Sequence, residues 1–567
     1  MTDSGNDQVG APPPHTDCDV AIVGYGPVGM IAAGLLAQHG LDVVVVERWP
    51  QRYSLSRAGH LDSETMRTFQ KLGVAQDIEL AARPMSQWSL VTAQMETLAT
   101  VTLGKGGAGW KESYFSYQPE IEAVFDAKAR ELGVRVYMGV VATGLEQSED
   151  AVTLTVSPSH GPLAEPRPGA RPATVRASYV IGADGARSWV RTVVGGERLD
   201  LGFPALDQLV IDFEPGDPDI HLPQLPEVYQ VLDIDRPLLA GRWSGPRHSR
   251  FEFAVNDGES REDLVTEQRC WDLLARWGIT PELGRIERKA VYTFESTLVT
   301  PWRQGRVFLA GDAAHTMPPF LGQGMCSGVR DAFNLSWKLA AVLRGEAEEA
   351  LLDTYESERA PHVRGLTQSS MAFGELVLTR DPDAARQRDA MLRAGNVPTA
   401  PPFPRLGPGV VAEGPEQPGG AVGRLSPQFR VASGRRIDRL DEFGSGSGWR
   451  IVSRHAVAVD QLDRRHRELL AALDVDVMHV SRGPGPGYYV DIDGEYDLWF
   501  RDNDAQAFVQ RPDGYVFGTA QSVADLPELL EELAQVLSRH GWHGRRRSAA
   551  DLAAAGIGPA QEVPDRR

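Results

Sequence analysis

The sequence predicts an α/β protein. A parallel-sheet domain is interrupted by a mostly antiparallel, α+β sheet domain, and a smaller αβ domain follows both. Three observations carry this. The chain opens with a strand over 20–23, a glycine turn, a helix over 28–39 and a strand over 43–46, which is a βαβ unit. Period-two alternation marks 208–213, 227–232, 249–254 and 290–294, as expected of a largely antiparallel sheet. A buried-type run at 307–310 then precedes a loop and a helix over about 325–344, so the chain returns to its first domain.

In chain order, residues 1–16 are expected to form a disordered tail. Amphipathic helices follow over 62–73, with Met66 and Phe69 apolar and Arg67 and Lys71 polar, and over 119–132. Segments 134–138 and 151–156 read as strands of a meander, 157–172 as a Pro/Gly-rich hairpin insertion, and 179–183 as a strand entering a glycine turn. The first domain is thus assigned 17–202 and 300–380, and the inserted sheet domain 203–299. Residues 381–419, rich in Pro, Gly, Arg and Asp, read as a linker. The third domain takes 420–545. Its last strands, 507–509 and 515–517, flank the Asp513-Gly514 turn, and a helix follows over 526–537. Residues 546–567 read as a tail.

The 567 residues carry 58 basic and 77 acidic side chains, a net charge of −19. That balance disfavours nucleic acid and anionic membrane surfaces as partners. Cys18, Cys270 and Cys326 are widely spaced, so neither a disulfide framework nor a metal site is expected. The N-terminus lacks the basic start and apolar run of a secretory signal, and a cytoplasmic protein is expected. The most apolar stretch, 20–46, is broken by Gly24, Gly26, Pro27, Gly29, His39, Gly40 and Asp42, which makes it a poor membrane span.

Three signatures carry chemistry. Gly24-Tyr25-Gly26-Pro27-Val28-Gly29 sits between strand and helix, where bare backbone and a helix N-terminus receive a pyrophosphate. Glu47 ends the next strand, placed to accept adenosine ribose hydroxyls, with Arg48 beside it. The domain is therefore Rossmann-like. The second signature is Gly182-Ala183-Asp184-Gly185-Ala186-Arg187-Ser188, with Arg191 soon after. The third is Gly311-Asp312-Ala313-Ala314-His315, followed by Pro318-Pro319-Phe320-Leu321-Gly322-Gln323-Gly324-Met325. A strand delivers Asp312 to a ribitol hydroxyl, and a Pro/Gly loop brings backbone close to a flat ligand. The next helix points free N–H groups at the negative charge of a reduced flavin. Together the three point to FAD.

The order of these motifs resembles the single-component (group A) FAD-dependent aromatic monooxygenases. The run from Arg242 to Arg364 is similar to their 3-(3-hydroxyphenyl)propionate hydroxylase branch, through Arg250-Phe251-Glu252-Phe253, Tyr292-Thr293-Phe294 and Arg330-Asp331-Ala332-Phe333-Asn334-Leu335, among others. The Arg511-Pro512-Asp513-Gly514-Tyr515 run resembles the thioredoxin-like C-terminal domain of these enzymes. Here that domain has no Cys pair, so packing or a homodimer contact is its expected role.

The resemblance implies that Arg57 and Gln118 touch the flavin and that Asp312 holds the ribitol. It also implies that the N–H groups of Met325 and Cys326 face the flavin C2 carbonyl, and that Pro318 and Pro319 lie near the reacting ring. It further implies that NADH or NADPH binds transiently, and that O2 forms a flavin C4a-hydroperoxide which hydroxylates a small phenolic substrate. Pocket candidates are His60, Tyr229, Arg242, Phe251, Phe253, Pro318 and Phe320. Phe251 and Phe253 alternate on one sheet face, so core packing competes with pocket lining there. Same-fold tailoring of a polyketide or other natural product by epoxidation or Baeyer–Villiger insertion stays open. So does a non-catalytic FAD-fold binding protein.

Overall fold

The computed structural model describes residues 10–544, except 11–12, 14, 53, 162, 218–226, 243–247, 398–402, 414–419, 445, 447 and 486. The tail assigned to 546–567 lies outside them. Of the tail assigned to 1–16, the described part is anchored. His15 Nδ1 lies 2.7 Å from Thr174 Oγ1, the Gly10 N–H bonds to the Met138 carbonyl, and the first strand already begins at Thr16.

Thr16–Val23 pairs in parallel with Val43–Glu47 on one side and Ala173–Gly182 on the other. Arg135–Met138 and Val307–Leu309 extend this parallel set. The valine-rich runs are buried because helices cover the sheet. Helix Pro27–Gln38 starts on proline, which needs no N–H partner there, and packs against the long helix Gln323–Leu343. The expected meander is displaced by one strand. Arg135–Met138 belongs to the parallel set, and the meander is Val140–Gln147, Val152–His160 and Ala173–Gly182. The hairpin at 157–172 is present, with His160 opposite Glu165.

The second sheet runs Gly284–Phe294, Leu206–Pro215, Ser249–Ala254, Leu238–Arg242, Val228–Val231, Gln87–Val91, Thr97–Thr102. Its last two strands come from inside 17–202, so a boundary at 203 divides the sheet wrongly. Val228–Val231 pairs with Gln87–Val91 in parallel; every other pairing in the sheet is antiparallel. One face buries Leu209, Ile211, Phe213, Phe251 and Phe253 against Leu274 and Trp277. The other face carries Val210, Asp212, Arg250 and Glu252. It turns toward the nucleotide domain, where Arg250 bonds to the carbonyls of Ser56 and Arg57.

The segment read as a linker contains a helix, Pro382–Arg393. Its N-terminus is capped by Asp381, and Arg388 bonds to the Leu232 carbonyl at 3.0 Å. Polar composition hid a helix whose buried stripe is Ala385, Arg388 and Leu392.

The C-terminal domain holds a seven-stranded sheet and helix Leu526–Arg539. Its 511–515 run forms the hairpin turn and also docks the domain. Arg511 pairs with Glu358 at 2.7 Å and with Asp513 at 2.7 Å. Lys338 pairs with Glu358 at 2.8 Å, and the Tyr515 hydroxyl donates to Glu64 at 2.6 Å. All of these side chains are buried. Truncating one member of such a set leaves an uncompensated buried charge. Among the described residues, no helix is long and apolar enough to cross a membrane.

Candidate active site

A cavity of about 1650 Å3 runs from the first glycine turn to the polar face of the second sheet. That exceeds the usual pocket for one small ligand, roughly 300–1,000 Å3, and leaves room for a dinucleotide plus a substrate.

At the nucleotide end the wall includes Gly24, Gly26, Pro27, Val28, Glu47, Arg48 and Asp184. Gly24 has φ 104°, and a Cβ there would collide with the Ala183 carbonyl. Gly29 is behind the wall, where a Cβ would strike the Gly24 carbonyl, so it sets the closeness of helix and turn. The helix N-terminus has no capping side chain. Glu47 takes the Tyr25 N–H at 2.7 Å on one oxygen and the Trp49 N–H at 2.9 Å on the other, and burial pushes its carboxyl up. Asp184 spends its carboxylate on Ser188 Oγ at 2.5 Å and on the N–H groups of Trp189 and Val190. It shapes the turn. Arg191 then reaches the Ala313 carbonyl at 3.1 Å, which accounts for the offset of that arginine and joins the second signature to the third.

At the ring end, Asp312 follows strand Val307–Leu309 and its carboxylate opens into the cavity. Burial within the protein raises its pKa, against the charges of His315 and Arg57. Pro318, Pro319, Phe320, Gly322, Gly324 and Met325 line the wall beside it. Gly322 adopts φ 63°, and helix Gln323–Leu343 starts there without a side-chain cap, leaving its first N–H groups free of helix partners. Cys326 lies behind the wall. Its thiol contacts the His60 carbonyl at 3.5 Å, and burial pushes it up to about 12. The Pro318 carbonyl accepts from Ser370 Oγ at 2.8 Å and so turns toward helix Ala350–Val377.

Arg57 lines the same space on a clamped loop. Gln118 Oε1 accepts the N–H groups of Arg57 and Ala58 at 2.9 and 2.8 Å, and Arg250 bonds to the Ser56 and Arg57 carbonyls from the opposite side. The Gln118 amide is thus committed to the loop, with its nitrogen donating to Glu122 at 2.6 Å. His60 bridges Ser113 Oγ at 2.7 Å and the Gly322 carbonyl at 3.3 Å, and burial pushes its pKa down.

Four pocket candidates are off the wall. Phe251 and Phe253 lie in the opposite core, stacked at 6.4 Å. Tyr229 packs against that same core, because its neighbour Val228 takes the cavity side. Arg242 is exposed at a strand end. The wall instead carries Val210, Val228, Leu239, Arg250, Glu252, Arg288 and Tyr292, with Met85, Trp88, Leu103 and Phe115 closing its apolar side. The signal for two of these was present: if Phe251 and Phe253 share the core face, Arg250 and Glu252 face the other way.

These features fit FAD: bare backbone beside two uncapped helix N-termini, one carboxylate at each end of the cavity, and an apolar chamber beyond. The fold and site thus define a flavoprotein oxygenase. An FAD binding domain family matches residues 17–370, and an HcaD C-terminal domain family matches 423–536. The chain is 37 % identical to a probable NADH-specific resorcinol 4-hydroxylase of Rhodococcus jostii (strain RHA1), covering 92 % of this chain and 95 % of that protein. It is 35 % identical to a 3-(3-hydroxy-phenyl)propionate/3-hydroxycinnamic acid hydroxylase of Mycobacterium avium (strain 104), over 75 % and 74 %. Among solved structures, the ternary complex of aklavinone-11 hydroxylase with FAD and aklavinone matches with TM-score 0.73 and 26 % identity, over 93 % of this chain and all of that one. The flavin-dependent monooxygenase PieE, with FAD and substrate, matches with TM-score 0.77 at 23 % identity, over 93 % of this chain and all of that one, which speaks for the fold. The chain belongs to the single-component FAD-dependent aromatic hydroxylases. It is an enzyme, a monooxygenase acting on phenols.

Proposed function

We propose that this enzyme hydroxylates a single-ring phenol of the resorcinol type, with NADH as reductant. The observation that carries the reading is the chamber opposite the 318–325 loop. Met85, Trp88, Leu103, Phe115, Val228 and Leu239 offer a ring-sized apolar surface, and a short polar row crosses it. A planar phenol needs that combination of apolar walls and a few fixed polar groups. The relative named for NADH and resorcinol spans nearly the whole chain and supports both choices.

Bound FAD would relay the electrons of NADH to O2 and so activate it. The chain's part is to hold and orient. The 24–29 turn and the helix behind it would receive the pyrophosphate, Glu47 the ribose and Asp312 the ribitol, with the Met325 N–H at the ring. The 56–58 loop would position Arg57, and the apolar walls exclude water from the reacting ring. A cytoplasmic site of action suits a pyridine nucleotide reductant and three unpaired cysteines.

The test is NADH oxidation by the FAD-loaded protein with resorcinol, 3-(3-hydroxyphenyl)propionate and larger bicyclic phenols, under 18O2. Resorcinol should stimulate NADH consumption most and yield a ring-hydroxylated product carrying one labelled oxygen. A ring-expanded ester or an epoxide would overturn the hydroxylase reading. A preference for NADPH or for the bicyclic phenols would overturn the finer one.

A further inference from the structure

The polar face of the second sheet holds a charged group that no cofactor role uses. Glu252 lies mid-strand in Ser249–Ala254, opposite Leu239 on one neighbour and Val210 on the other, and its side chain is on the cavity wall. Among the described residues it makes an ion contact with Arg250 Nη1 at 3.8 Å and no hydrogen bond. Its side chain is only 15 % exposed. A carboxylate so placed lacks most of the donors that water would give it, and burial costs free energy unless a partner supplies one. That partner must come from inside the cavity.

The surroundings define what it is. Along the same face, Asp212 is held by Arg250 at 2.6 and 3.0 Å. Arg288, 4 % exposed, lies 3.5 Å from Asp212, and its Nε and Nη1 have no hydrogen bond. Its guanidinium stacks 4.5 Å from the Tyr292 ring. Two cations therefore share Asp212, and Glu252 is the anion that balances the second one. Across the cavity stand Arg57, a cation, and His60, whose ring nitrogens are both engaged. Among the described residues of this sheet that line the cavity, Glu252 is the carboxylate without a hydrogen bond.

We propose that Glu252 accepts the phenolic proton of the substrate, with Arg250 and Arg288 as fixed counter-charges. This rests on the reading of the enzyme as a phenol hydroxylase. The phenolic O–H bond breaks and an O–H bond to Glu252 Oε forms. The bonding pair stays on the phenolate oxygen and conjugates into the ring, which makes the ortho and para carbons more nucleophilic. The negative charge passes from carboxylate to phenolate, so the arginine pair keeps one anion throughout and no net charge is created in the cavity. Burial also pushes the Glu252 carboxyl up, against the pull of Arg250, which moves it toward the range where a general base works best.

The experiment compares FAD-loaded wild type, Glu252→Gln and Glu252→Asp with resorcinol. Wild type should show an acidic limb in the pH profile of kcat/KM. Glu252→Gln should keep its FAD and melting temperature, lose that limb, fall about 100-fold in hydroxylation, and divert NADH oxidation to hydrogen peroxide. Glu252→Asp should restore the limb. In wild type, bound resorcinol should show its phenolate absorption below the pKa of the free phenol. Neutral bound phenol in wild type overturns the proposal, whatever the variants do. So does a Glu252→Gln enzyme within threefold of wild type with its acidic limb intact. A wild type inactive with resorcinol refutes the substrate choice instead, and Glu252 is then judged on whichever phenol stimulates NADH oxidation.

Discussion

His315 Nε2 lies 2.6 Å from Asp331 Oδ2, and the same oxygen takes the Gly311 N–H at 3.1 Å. The other carboxylate oxygen takes Arg359 Nε at 2.9 Å. One buried side chain on helix Gln323–Leu343 thus holds both ends of the turn that presents Asp312. Burial alone would raise its pKa, but His315 and Arg359 keep it below the ordinary carboxylate value. Asp331→Ala strands a buried guanidinium and should cost about 3–5 kcal/mol of stability. The checks are denaturant unfolding and flavin content. A variant of normal stability that stays fully yellow would contradict this role.

Gly29 has no place on the cavity wall, yet its substitution should weaken cofactor binding. A Cβ there collides with the Gly24 carbonyl, and both atoms belong to backbone that cannot step aside cheaply. Gly29→Ala should push the helix off the turn and weaken FAD affinity by more than about tenfold, as P–O contacts depend on that closeness. Fluorescence titration of the apoprotein with FAD reads this directly. Unchanged affinity would mean the turn is not where the pyrophosphate sits.

Acid should loosen the junction between the nucleotide domain and the C-terminal hairpin. Arg330 bonds to Asp62 at 2.5 Å and to Glu64 at 2.7 Å, and Glu64 accepts the Tyr515 hydroxyl. Burial would raise the Asp62 carboxyl, but the Arg330 charge and the Thr65 N–H outweigh it and hold it at about 2, from an ordinary 3.8. A depressed acid contributes stability that is present above its unfolded pKa and lost as pH falls through the folded one. The Asp62 contribution, about 2 kcal/mol, should be full above roughly pH 4 and vanish toward pH 2. Asp62→Asn should flatten that part of a stability–pH curve. An unaltered slope between those limits would refute the assignment.

Two substitutions separate the faces of the second sheet. Phe251→Ala empties a core site and should cost about 3–5 kcal/mol while leaving KM for the phenol nearly unchanged. Leu239→Phe fills the chamber and should raise KM for resorcinol severalfold with little change in melting temperature. If the two effects were exchanged, the orientation of strands Ser249–Ala254 and Leu238–Arg242 would be wrong.

That last pair shows how much was legible in advance. The placement of the glycine turn, Glu47 and Asp312 on one cavity was readable because it is local: a strand end, a turn and a helix start within a few residues. The parity of 249–254 was readable too, but not which parity faced the ligand, since that depends on helix Glu267–Leu274 covering one side. Strand Gln87–Val91 and its hairpin partner Thr97–Thr102 were missed as part of this sheet because they join it through Val228–Val231, more than a hundred residues away. Gln118 and Asp184 line the cavity, yet their hydrogen bonds go to the protein itself, to backbone N–H groups and to the Glu122 and Ser188 side chains. A sequence shows that an amide or carboxylate is present, not which donor reaches it first.

Arg511 and Glu358 are separated by 153 residues. A ribosome adding roughly 5–20 residues per second takes about 8–30 s to cover that stretch. For most of that interval the helices bearing Lys338 and Glu358 have been synthesised, while the cation that finishes their charge balance has not been made. Biosynthesis therefore has a built-in order. The nucleotide half waits for the last hairpin before its surface can close, and any chain that stops short of Arg511 exposes an apolar face with an acid at its centre.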